Sequence, residues 1–201
     1  MLTYLGKLGE LILKGSNIKT FERLLIQNTK NYLQSVEAKV ELKAGRLYIE
    51  CTEDAKEAVE FTLNHLLGIT GWALAKVTEK NIKAIKSEVY NQALEAKQKG
   101  AKSFKILAKR GDKSFPLDSY EIMKEAGAAV FDKQLLTVDV HNPDCIITVE
   151  VRERAFVYCD SQTGCRGLPV GCSGKGLLLL SGGLDSPVAG YRMLRRGMKI
   201  E

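Results

Sequence analysis

The chain has 201 residues, of which 45% are hydrophobic, 27% are charged and five are cysteines. This length and apolar content allow one large or two small domains, each with a core of its own. The composition excludes a membrane-spanning protein, since no apolar run approaches the ~18–20 residues that cross a bilayer. The N-terminus shows neither a long apolar segment nor a small-residue cleavage site, and the odd number of cysteines fits reduced thiols, so we expect a cytoplasmic protein.

The positive charge is concentrated in one stretch of the chain. Residues 97–113 contain seven lysines and arginines and a single acid, Asp112, so this stretch carries the same excess as the whole chain, +6. A local basic block of this kind is typical of a surface that binds a polyanion. A solvated lysine face explains the charge equally well, and charge alone does not choose between the two.

The N-terminal part predicts a ferredoxin-like βαββαβ domain. Its strands and helices are predicted, in that order, at residues 2–5, 17–35, 36–44, 46–51, 54–67 and 71–77. Gly45 marks a hairpin between the second and third strands. Asp54 and Glu57 have the spacing of a capping box at the start of the second helix.

The middle part predicts a second α/β domain. Its helices and strands are predicted at residues 81–99, 103–110, 119–133 and, as two antiparallel strands around a polar turn, within 145–160. Gly100 ends the first of these helices, and Asp118 or Ser119 caps the second. A glycine-rich stretch follows, and it predicts a linker at residues 166–176.

Residues 177–201 predict a strand, a turn and a helix. Leucines at 177–180 are typical of a strand buried on both faces of a parallel sheet. Ser186 is a suitable N-cap, Pro187 follows it at the first helical position, and Gly197 comes after the last turn. A junction of this type directs backbone N–H groups at an anion.

The turn has the sequence SGGLDS, which is the composition of a phosphate-binding loop. Gly182 and Gly183 permit positive φ and a close approach of the backbone to phosphate, and Ser181 and Ser186 add hydroxyl donors. Asp185 cannot bind phosphate directly, so its carboxylate predicts a Mg²⁺ ligand or a catalytic group. A simple strand-to-helix connection is the competing interpretation, and the motif favours the phosphate loop.

Two other site types are disfavoured. The nearby GCSGKG is no Walker A loop, because Lys175 is followed by glycine rather than by serine or threonine. Cys159, Cys165 and Cys172 lack the spacing of a zinc site, so we predict incidental thiols and no bound metal there.

Three motifs carry a resemblance to known families. SGGLDS resembles the SGGxDS signature of the PP-loop ATP pyrophosphatases. FKILAKRGDKSFPLDSYEI, GAAV, VDVHNPDC and VEVRERAFVY resemble the THUMP domain, an RNA-binding module of tRNA-modifying enzymes. LGELILKGSNIKTFERLL is similar to the start of the ferredoxin-like domain of the ThiI family, the tRNA 4-thiouridine synthases. The order of the three motifs resembles that family over essentially the whole chain.

The resemblance implies a domain organisation within an α/β (α+β) fold class. It places a ferredoxin-like domain at 1–77, a THUMP domain at 78–165, a linker at 166–176 and the first βα unit of a doubly wound PP-loop domain at 177–201. Since the family's PP-loop domain continues much further, the chain is expected to be a fragment or truncated product that is inactive alone.

The resemblance also implies the activity of the intact protein. Such a protein binds tRNA, adenylates the C4 oxygen of uridine 8 with ATP and Mg²⁺, and accepts a persulfide sulfur from a cysteine desulfurase. It also transfers sulfur for thiamine biosynthesis, and a homodimer is compatible with the family. Leu179, Leu180 and the SGGLDS turn would bind ATP and pyrophosphate, with Asp185 as the catalytic residue. The sulfur-carrying cysteine is expected outside these residues.

The basic block supplies the candidates for RNA binding. They are Lys105, Lys109, Arg110 and Lys113, with Phe115 beside them as a stacking surface or, more commonly for phenylalanine, a core residue. Two alternatives stay open. One is a non-catalytic tRNA-binding THUMP protein, and the other is a different PP-loop enzyme, such as a 2-thiouridine synthase or an amidotransferase-type ligase.

Overall fold

A computed structural model of the chain describes residues 1–13 and 17–201. The helices are α1 (Ile18–Tyr32), α2 (Lys56–His65), α3 (Ile82–Gln98), α4 (Ser119–Phe131) and α5 (Asp185–Arg195). The strands are β1 (Leu2–Leu8), β2 (Ala38–Lys43), β3 (Arg46–Cys51), β4 (Ile69–Thr78), β5 (Ser103–Arg110), β6 (Thr137–Val138), β7 (Cys145–Val151), β8 (Ala155–Cys159), β9 (Gln162–Thr163), β10 (Lys175–Gly176) and β11 (Lys199–Ile200). Lys14, Gly15 and Ser16, which belong to the N-terminal motif, lie outside the described residues.

The chain forms two compact units. The first consists of Met1–Trp72 and Gln162–Glu201, and the second of Ala73–Ser161. In the first unit the strand order is β2-β3-β1-β4, with α1 and α2 in the predicted βαββαβ sequence. The predicted hairpin is confirmed, because Ala44 (φ 47°) and Gly45 (φ 73°) both have left-handed backbone in the two-residue turn between β2 and β3.

The core of the first unit contains a pair of aromatic side chains. Tyr4 and Trp72 are buried, and their ring centroids lie 5.8 Å apart. The Tyr4 hydroxyl donates to Glu60 Oε1 at 3.0 Å. Burial and, after it, the hydrogen bond to Glu60 raise the pKa of Tyr4 well above its usual range. Trp72 Nε1 donates to Asn64 Oδ1 at 3.0 Å, so both polar atoms of this aromatic pair are satisfied.

The predicted capping box at α2 is wrong. A short 3-10 turn, Glu53–Ala55, precedes the helix, so the N-cap is Ala55 and it makes no side-chain cap hydrogen bond. Asp54 lies inside that turn, one position before the N-cap, where its carboxylate cannot accept from the first helical N–H groups.

The second unit has strand order β4-β8-β7-β5-β6, in which β5 runs parallel to β7 and to β6. The helices α3 and α4 pack with the sheet around one apolar cluster that includes Phe104, Ile106 and Val149. Asn81 Oδ1 accepts from Ala84 N at 2.8 Å to cap α3. At α4 the sequence did not decide whether Asp118 or Ser119 is the N-cap. The structure has Asp118 as the N-cap, in a full capping box with the third helical residue, Glu121.

Gln162–Glu201 joins the first unit through backbone pairing. Trp72 is paired with Gln162, and Gly71 with Thr163, in the antiparallel contact of β4 and β9. A Cβ on Gly71 would stand 2.6 Å from the Gln162 carbonyl oxygen, and one on Gly164 would stand 2.7 Å from the Ile69 oxygen. Both positions therefore require glycine, because the two backbones are too close for any side chain.

Residues 168–173 pack against the C-terminal end of α5. Leu168 N–H donates to the Arg195 carbonyl at 2.9 Å, and the Gly171 and Ser173 N–H groups donate to the Gly197 carbonyl at 2.8 and 3.0 Å. The Ser173 hydroxyl donates to the Arg196 carbonyl at 2.8 Å. This segment, called here the α5 cap, thus satisfies carbonyl groups that the end of a helix leaves without intrahelical partners.

The predicted leucine strand at 177–180 is wrong in position and burial. The strand is β10, Lys175–Gly176, and it pairs in parallel with β11. Leu177, Leu179 and Leu180 are 79%, 81% and 72% exposed. β10 has a single strand partner among the described residues, and of the four leucines only Leu178, beside Gly190 of α5, is half-buried.

Candidate functional site

The SGGLDS turn is closed by its two serines. Ser181 N–H donates to Ser186 Oγ at 3.1 Å, and the two hydroxyl oxygens lie 3.2 Å apart. Gly183 N–H lies 3.4 Å from Ser181 Oγ. The ends of the turn are thus held together at the N-terminus of α5, where backbone N–H groups favour an anion.

The details of this turn differ from the sequence prediction. The helix begins at Asp185 with Leu184 as N-cap, so the predicted N-cap role of Ser186 is wrong. Ser186 instead uses its hydroxyl to accept from Ser181 and close the turn. Pro187 still lies in the first helical turn, where its missing N–H costs no intrahelical bond.

The two glycines of the turn do not adopt a left-handed backbone, and they leave the turn accessible to solvent. Gly182 and Gly183 have no positive φ in this structure, although the sequence allowed one. A Cβ on Gly182 would have no heavy atom of the described residues within 4 Å. Ser181, Gly182, Gly183 and Asp185 are all exposed, so the turn can be approached by phosphate and its donor set fits one.

Strand β5 presents the basic side chains in two directions. Phe104 and Ile106 enter the apolar cluster beside α3 and α4, so the alternate residues Lys105 and Lys109 lie on the opposite face. Lys105 Nζ donates to the Val140 carbonyl at 2.9 Å, and Leu107, between the two lysines, is 38% exposed. This face of β5, called here the β5 basic face, combines two cations with an exposed apolar side chain.

Arg110 and Lys113 lie elsewhere. Arg110 Nη1 donates to the Phe115 carbonyl at 3.4 Å, and Lys113 is exposed in the following loop. Phe115 is 4% exposed and belongs to the apolar cluster, so it is a core residue and not a stacking surface for RNA. Asp112, the acid of the basic block, is bonded to Lys80 at 2.6 Å, and this contact holds its pKa far below the usual range.

Sequence reasoning missed a buried carboxylate next to Lys109, on the same side of the sheet as the β5 basic face. Glu150 on β7 is 0% exposed and is paired in register with Lys109. Its Oε1 accepts from the Tyr158 hydroxyl at 2.9 Å and lies 4.0 Å from Lys109 Nζ, while Oε2 accepts from Arg152 Nε at 3.1 Å. The only signal in the sequence was a lone acid between two valines of a strand.

Two further findings concern residues 1–13 and 17–201. No group of three or more His, Cys, Asp or Glu side chains is arranged to hold a metal ion, and all five cysteines are free thiols. No helix in this range is both long and apolar enough to cross a membrane.

Comparison with known proteins matches the same segments. Family models described as "ThiI ferredoxin-like domain", "THUMP domain" and "Thiamine biosynthesis protein (ThiI)" match residues 3–73, 79–160 and 171–201. A Treponema pallidum (strain Nichols) protein named "Probable tRNA sulfurtransferase" is 48% identical over 201 residues, covering 98% of this chain and 50% of its own. The chain spans about half the length of the curated relatives it matches.

Two solved structures share the fold across the whole chain. A 4-thiouridine synthetase in complex with RNA and bound ATP superposes with TM-score 0.85 at 35% identity, covering 100% of this chain and 52% of that one. A protein of Pyrococcus horikoshii Ot3 superposes with TM-score 0.89 at 27% identity and 67% coverage of its own chain.

These matches define a class of protein in which a ferredoxin-like domain, a THUMP domain and the start of a PP-loop segment follow one another in a single chain. The chain belongs to the ThiI family. The resemblance inferred from the sequence is therefore confirmed, as is the mixed α/β fold.

Proposed function

We propose that the intact protein is an ATP-dependent tRNA sulfurtransferase that forms 4-thiouridine at position 8 of tRNA and also supplies sulfur for thiamine biosynthesis. The observation that carries the proposal is the combination, in one chain, of a THUMP unit with an exposed β5 basic face and an open SGGLDS turn at a helix N-terminus. The names of the relatives and the RNA- and ATP-bound state of a similar structure support it.

In this proposal the second unit holds the RNA. Lys105 and Lys109 would contact phosphates from the β5 basic face, while Arg110 and Lys113 would contribute charge from its end. Phosphate contacts orient the RNA without selecting its sequence, so recognition of one uridine requires groups elsewhere. The proposed domain boundaries remain 1–77, 78–165, 166–176 and 177–201.

The SGGLDS turn would hold the phosphates of ATP. ATP would transfer AMP to the C4 oxygen of uridine with release of pyrophosphate. The terminal sulfur of a persulfide donor would then displace AMP from C4, and a second thiol would cleave the S–S bond and end as a disulfide with the donor thiol. The chain itself would position ATP for this reaction. The N–H groups at the start of α5 would bind pyrophosphate, and the backbone of Leu179 and Leu180 would lie beside the nucleotide. Asp185 would hold Mg²⁺ or orient the reacting groups. A cysteine desulfurase, a cytoplasmic location and a homodimer belong to the same proposal.

Two variants of the full-length protein test the two roles separately. Asp185→Ala should abolish 4-thiouridine formation, measured by nucleoside analysis of tRNA, and leave tRNA affinity unchanged. If tRNA binds and thiolation is absent from the wild-type protein as well, the non-catalytic tRNA-binding alternative is correct.

The double variant Lys105→Ala, Lys109→Ala should weaken tRNA binding and lower the slope of log affinity against log salt by about 2, one for each phosphate contact. The matched control is Lys83→Ala with Lys124→Ala. It removes the same charge from the exposed surfaces of α3 and α4, on the other face of the sheet. An equal loss in both double variants would place the RNA elsewhere.

A further inference from the structure

A cavity of about 230 Å³ in the first unit has no role in the function proposed above. It opens at the C-terminal ends of α1 and α2. Its polar lining comes from Asn28, Asn31, Tyr32 and His65, and its apolar lining includes Leu66 and Leu67. The two leucines are 1% and 8% exposed, so the cavity has an apolar floor and a polar rim.

The rim presents a defined set of hydrogen-bonding atoms. Asn28 Nδ2 donates to the Val170 carbonyl at 3.1 Å, which leaves its Oδ1 as an acceptor. Asn31 Oδ1 accepts from Gln27 Nε2 at 2.8 Å, which leaves its Nδ2 as a donor. His65 Nδ1 lies 2.7 Å from the Phe61 carbonyl oxygen, which can only accept, so Nδ1 donates in this contact and Nε2 stays available to the cavity.

The rim also presents flat aromatic surfaces. The His65 ring stacks on Phe61 with centroids 4.1 Å apart and an angle of 32° between the planes. Tyr32, on the other helix, is 51% exposed. Aromatic side chains at the rim of an apolar floor are a stacking surface for a planar ring.

The character of the lining restricts the ligand. Among the described residues, no lysine, arginine, aspartate or glutamate lines the cavity, so it offers no permanent counter-charge to a phosphate or a carboxylate. The volume lies below the ~300–1,000 Å³ of pockets for drug-sized ligands, which indicates a single ring system. An acceptor from Asn28 and a donor from Asn31 are the kinds of group that bind the edge of a nucleobase.

We propose that this cavity binds one neutral nucleobase, stacked at Tyr32 and His65 and bonded along its edge to Asn28 and Asn31. The base can come from an unpaired nucleotide of bound RNA or from a free nucleoside. The first source rests on the proposed function, whereas base binding itself does not.

The test is a titration of the ¹⁵N-labelled protein with adenosine, cytidine, guanosine or uridine at millimolar concentrations, and with ribose as a control. At least one nucleoside should shift the side-chain amide resonances of Asn28 and Asn31 saturably, and ribose should not. Asn31→Leu should weaken that binding about tenfold, the effect of one lost hydrogen bond. Asn91→Leu is the matched control, since it makes the same change at an exposed position of α3, outside the cavity, and should bind within about twofold of wild type.

The affinity of Asn31→Leu for tRNA distinguishes the two sources. A loss of about tenfold with an unchanged salt slope identifies an RNA base, because no phosphate contact is removed. An unchanged tRNA affinity identifies a free nucleoside. The proposal is overturned if no nucleoside shifts the amide resonances, or if Asn31→Leu binds nucleosides as well as wild type. Failure of the proposed function would show differently, as absence of tRNA binding by the wild-type protein.

Discussion

Glu150 is a carboxylate that is kept fully out of water, and its partners explain how. Tyr158 and Arg152 bond its two oxygens, and Lys109 approaches one of them. Burying an ion is costly, and the cost is offset only where charge and hydrogen bonds compensate it. Because the partners include Lys109, the carboxylate also fixes the direction of a cation on the β5 basic face.

Glu150→Gln should therefore have two effects. It should lower the free energy of unfolding by about 3 kcal/mol, since Arg152 and Lys109 lose their buried counter-charge. It should also weaken tRNA binding, measured by filter binding at fixed salt, because Lys109 is no longer held in place. This second effect is opposite in sign to that of charge alone, since the substitution makes the surface more positive.

Glu153→Gln is the matched control for charge. Glu153 is exposed in the turn between β7 and β8, so its loss changes net charge by the same amount without removing a buried partner. It should bind tRNA slightly more tightly. If Glu150→Gln also binds tRNA more tightly than wild type, Glu150 only neutralises positive charge and does not position Lys109.

Sequence reasoning at this scale found exposed chemistry better than buried chemistry. SGGLDS was recognisable because its glycines and serines suit a phosphate and its aspartate suits Mg²⁺. Glu150 was not, because strand alternation places it on the face away from α3 and α4, where an acid is ordinarily solvated. Its burial depends on Tyr158 and Arg152, whose positions follow from the pairing of β7 with β8.

At the scale of elements, the α5 cap depends on one glycine. Gly197 has φ 87°, and a Cβ there would stand 2.2 Å from Cys172 Sγ. Gly174 has nearly the same backbone angle, φ 84°, but its Cβ would have no heavy atom of the described residues within 4 Å. The two positions separate the cost of a left-handed backbone from the cost of a clash.

Gly174→Ala should destabilise the first unit by about 1 kcal/mol, the strain of a left-handed alanine. Gly197→Ala should cost about 2–4 kcal/mol, because the α5 cap must also move away from the helix. Denaturant unfolding of both variants measures the difference. Adding Cys172→Ala to Gly197→Ala should restore part of the loss, and equal costs for the two glycine variants would contradict the close contact.

The beginning of β5 depends on an ionised carboxylate. Asp144 Oδ2 accepts from Lys102 N at 2.8 Å, Ser103 N at 2.9 Å and Ser103 Oγ at 3.1 Å. The bonds to the Lys102 and Ser103 backbone, and then that to the Ser103 hydroxyl, lower the pKa of Asp144. A lowered folded-state pKa gives stability above the unfolded value, about 3.9, that is lost as pH falls through the folded value.

We therefore expect the melting temperature of the wild-type protein to fall as the pH drops below about 4, with part of that fall due to Asp144. Asp144→Asn should start from a lower melting temperature at neutral pH and show a shallower decline in acid. Thermal melts followed by circular dichroism between neutral and acidic pH measure both. A decline as steep as that of wild type would assign the acid sensitivity to other groups.

Helix ends were predictable where one side chain decides them, as Asp118 does at α4. They were not predictable where the preceding backbone decides them, as the 3-10 turn before α2 does. The leucines at 177–180 show the same limit, since an apolar run indicates a buried strand but the run contains no information about which strands lie beside it.

At the scale of the molecule, the second unit is inserted between two paired residues of the first. Trp72 and Gln162 stand opposite each other in β4 and β9, so the ends of the insertion are adjacent. Replacing residues 73–161 by Asn-Gly should therefore give a two-residue hairpin and leave the first unit folded. Trp72 fluorescence and a cooperative urea transition measure this outcome, and loss of both would show that the first unit requires the second.

Sequence motifs follow the order of the chain and cannot show this arrangement. The ferredoxin-like and THUMP patterns were visible because their elements are local and contiguous. The contacts that join Gln162–Glu201 to Met1–Trp72 link residues far apart in sequence, such as Cys165 Sγ with the Asn64 carbonyl at 2.9 Å. Such contacts leave no periodic signal in the sequence.

A discontinuous unit is completed late during translation. The ribosome adds about 5–20 residues per second, so Ala73–Ser161 takes several seconds to synthesise, and all of it leaves the ribosome before β9 does. The residues synthesised first must then wait, with the backbone of β4 at Gly71 and Trp72 lacking its β9 partner, until Gln162 and Thr163 emerge. The α5 cap forms later still, because it cannot pack against α5 until Gly197 has emerged. Met1–Trp72 is thus made before the second unit but completes its strand pairing after it, and during that interval the unpaired edge of β4 is open to chaperones and to mispairing.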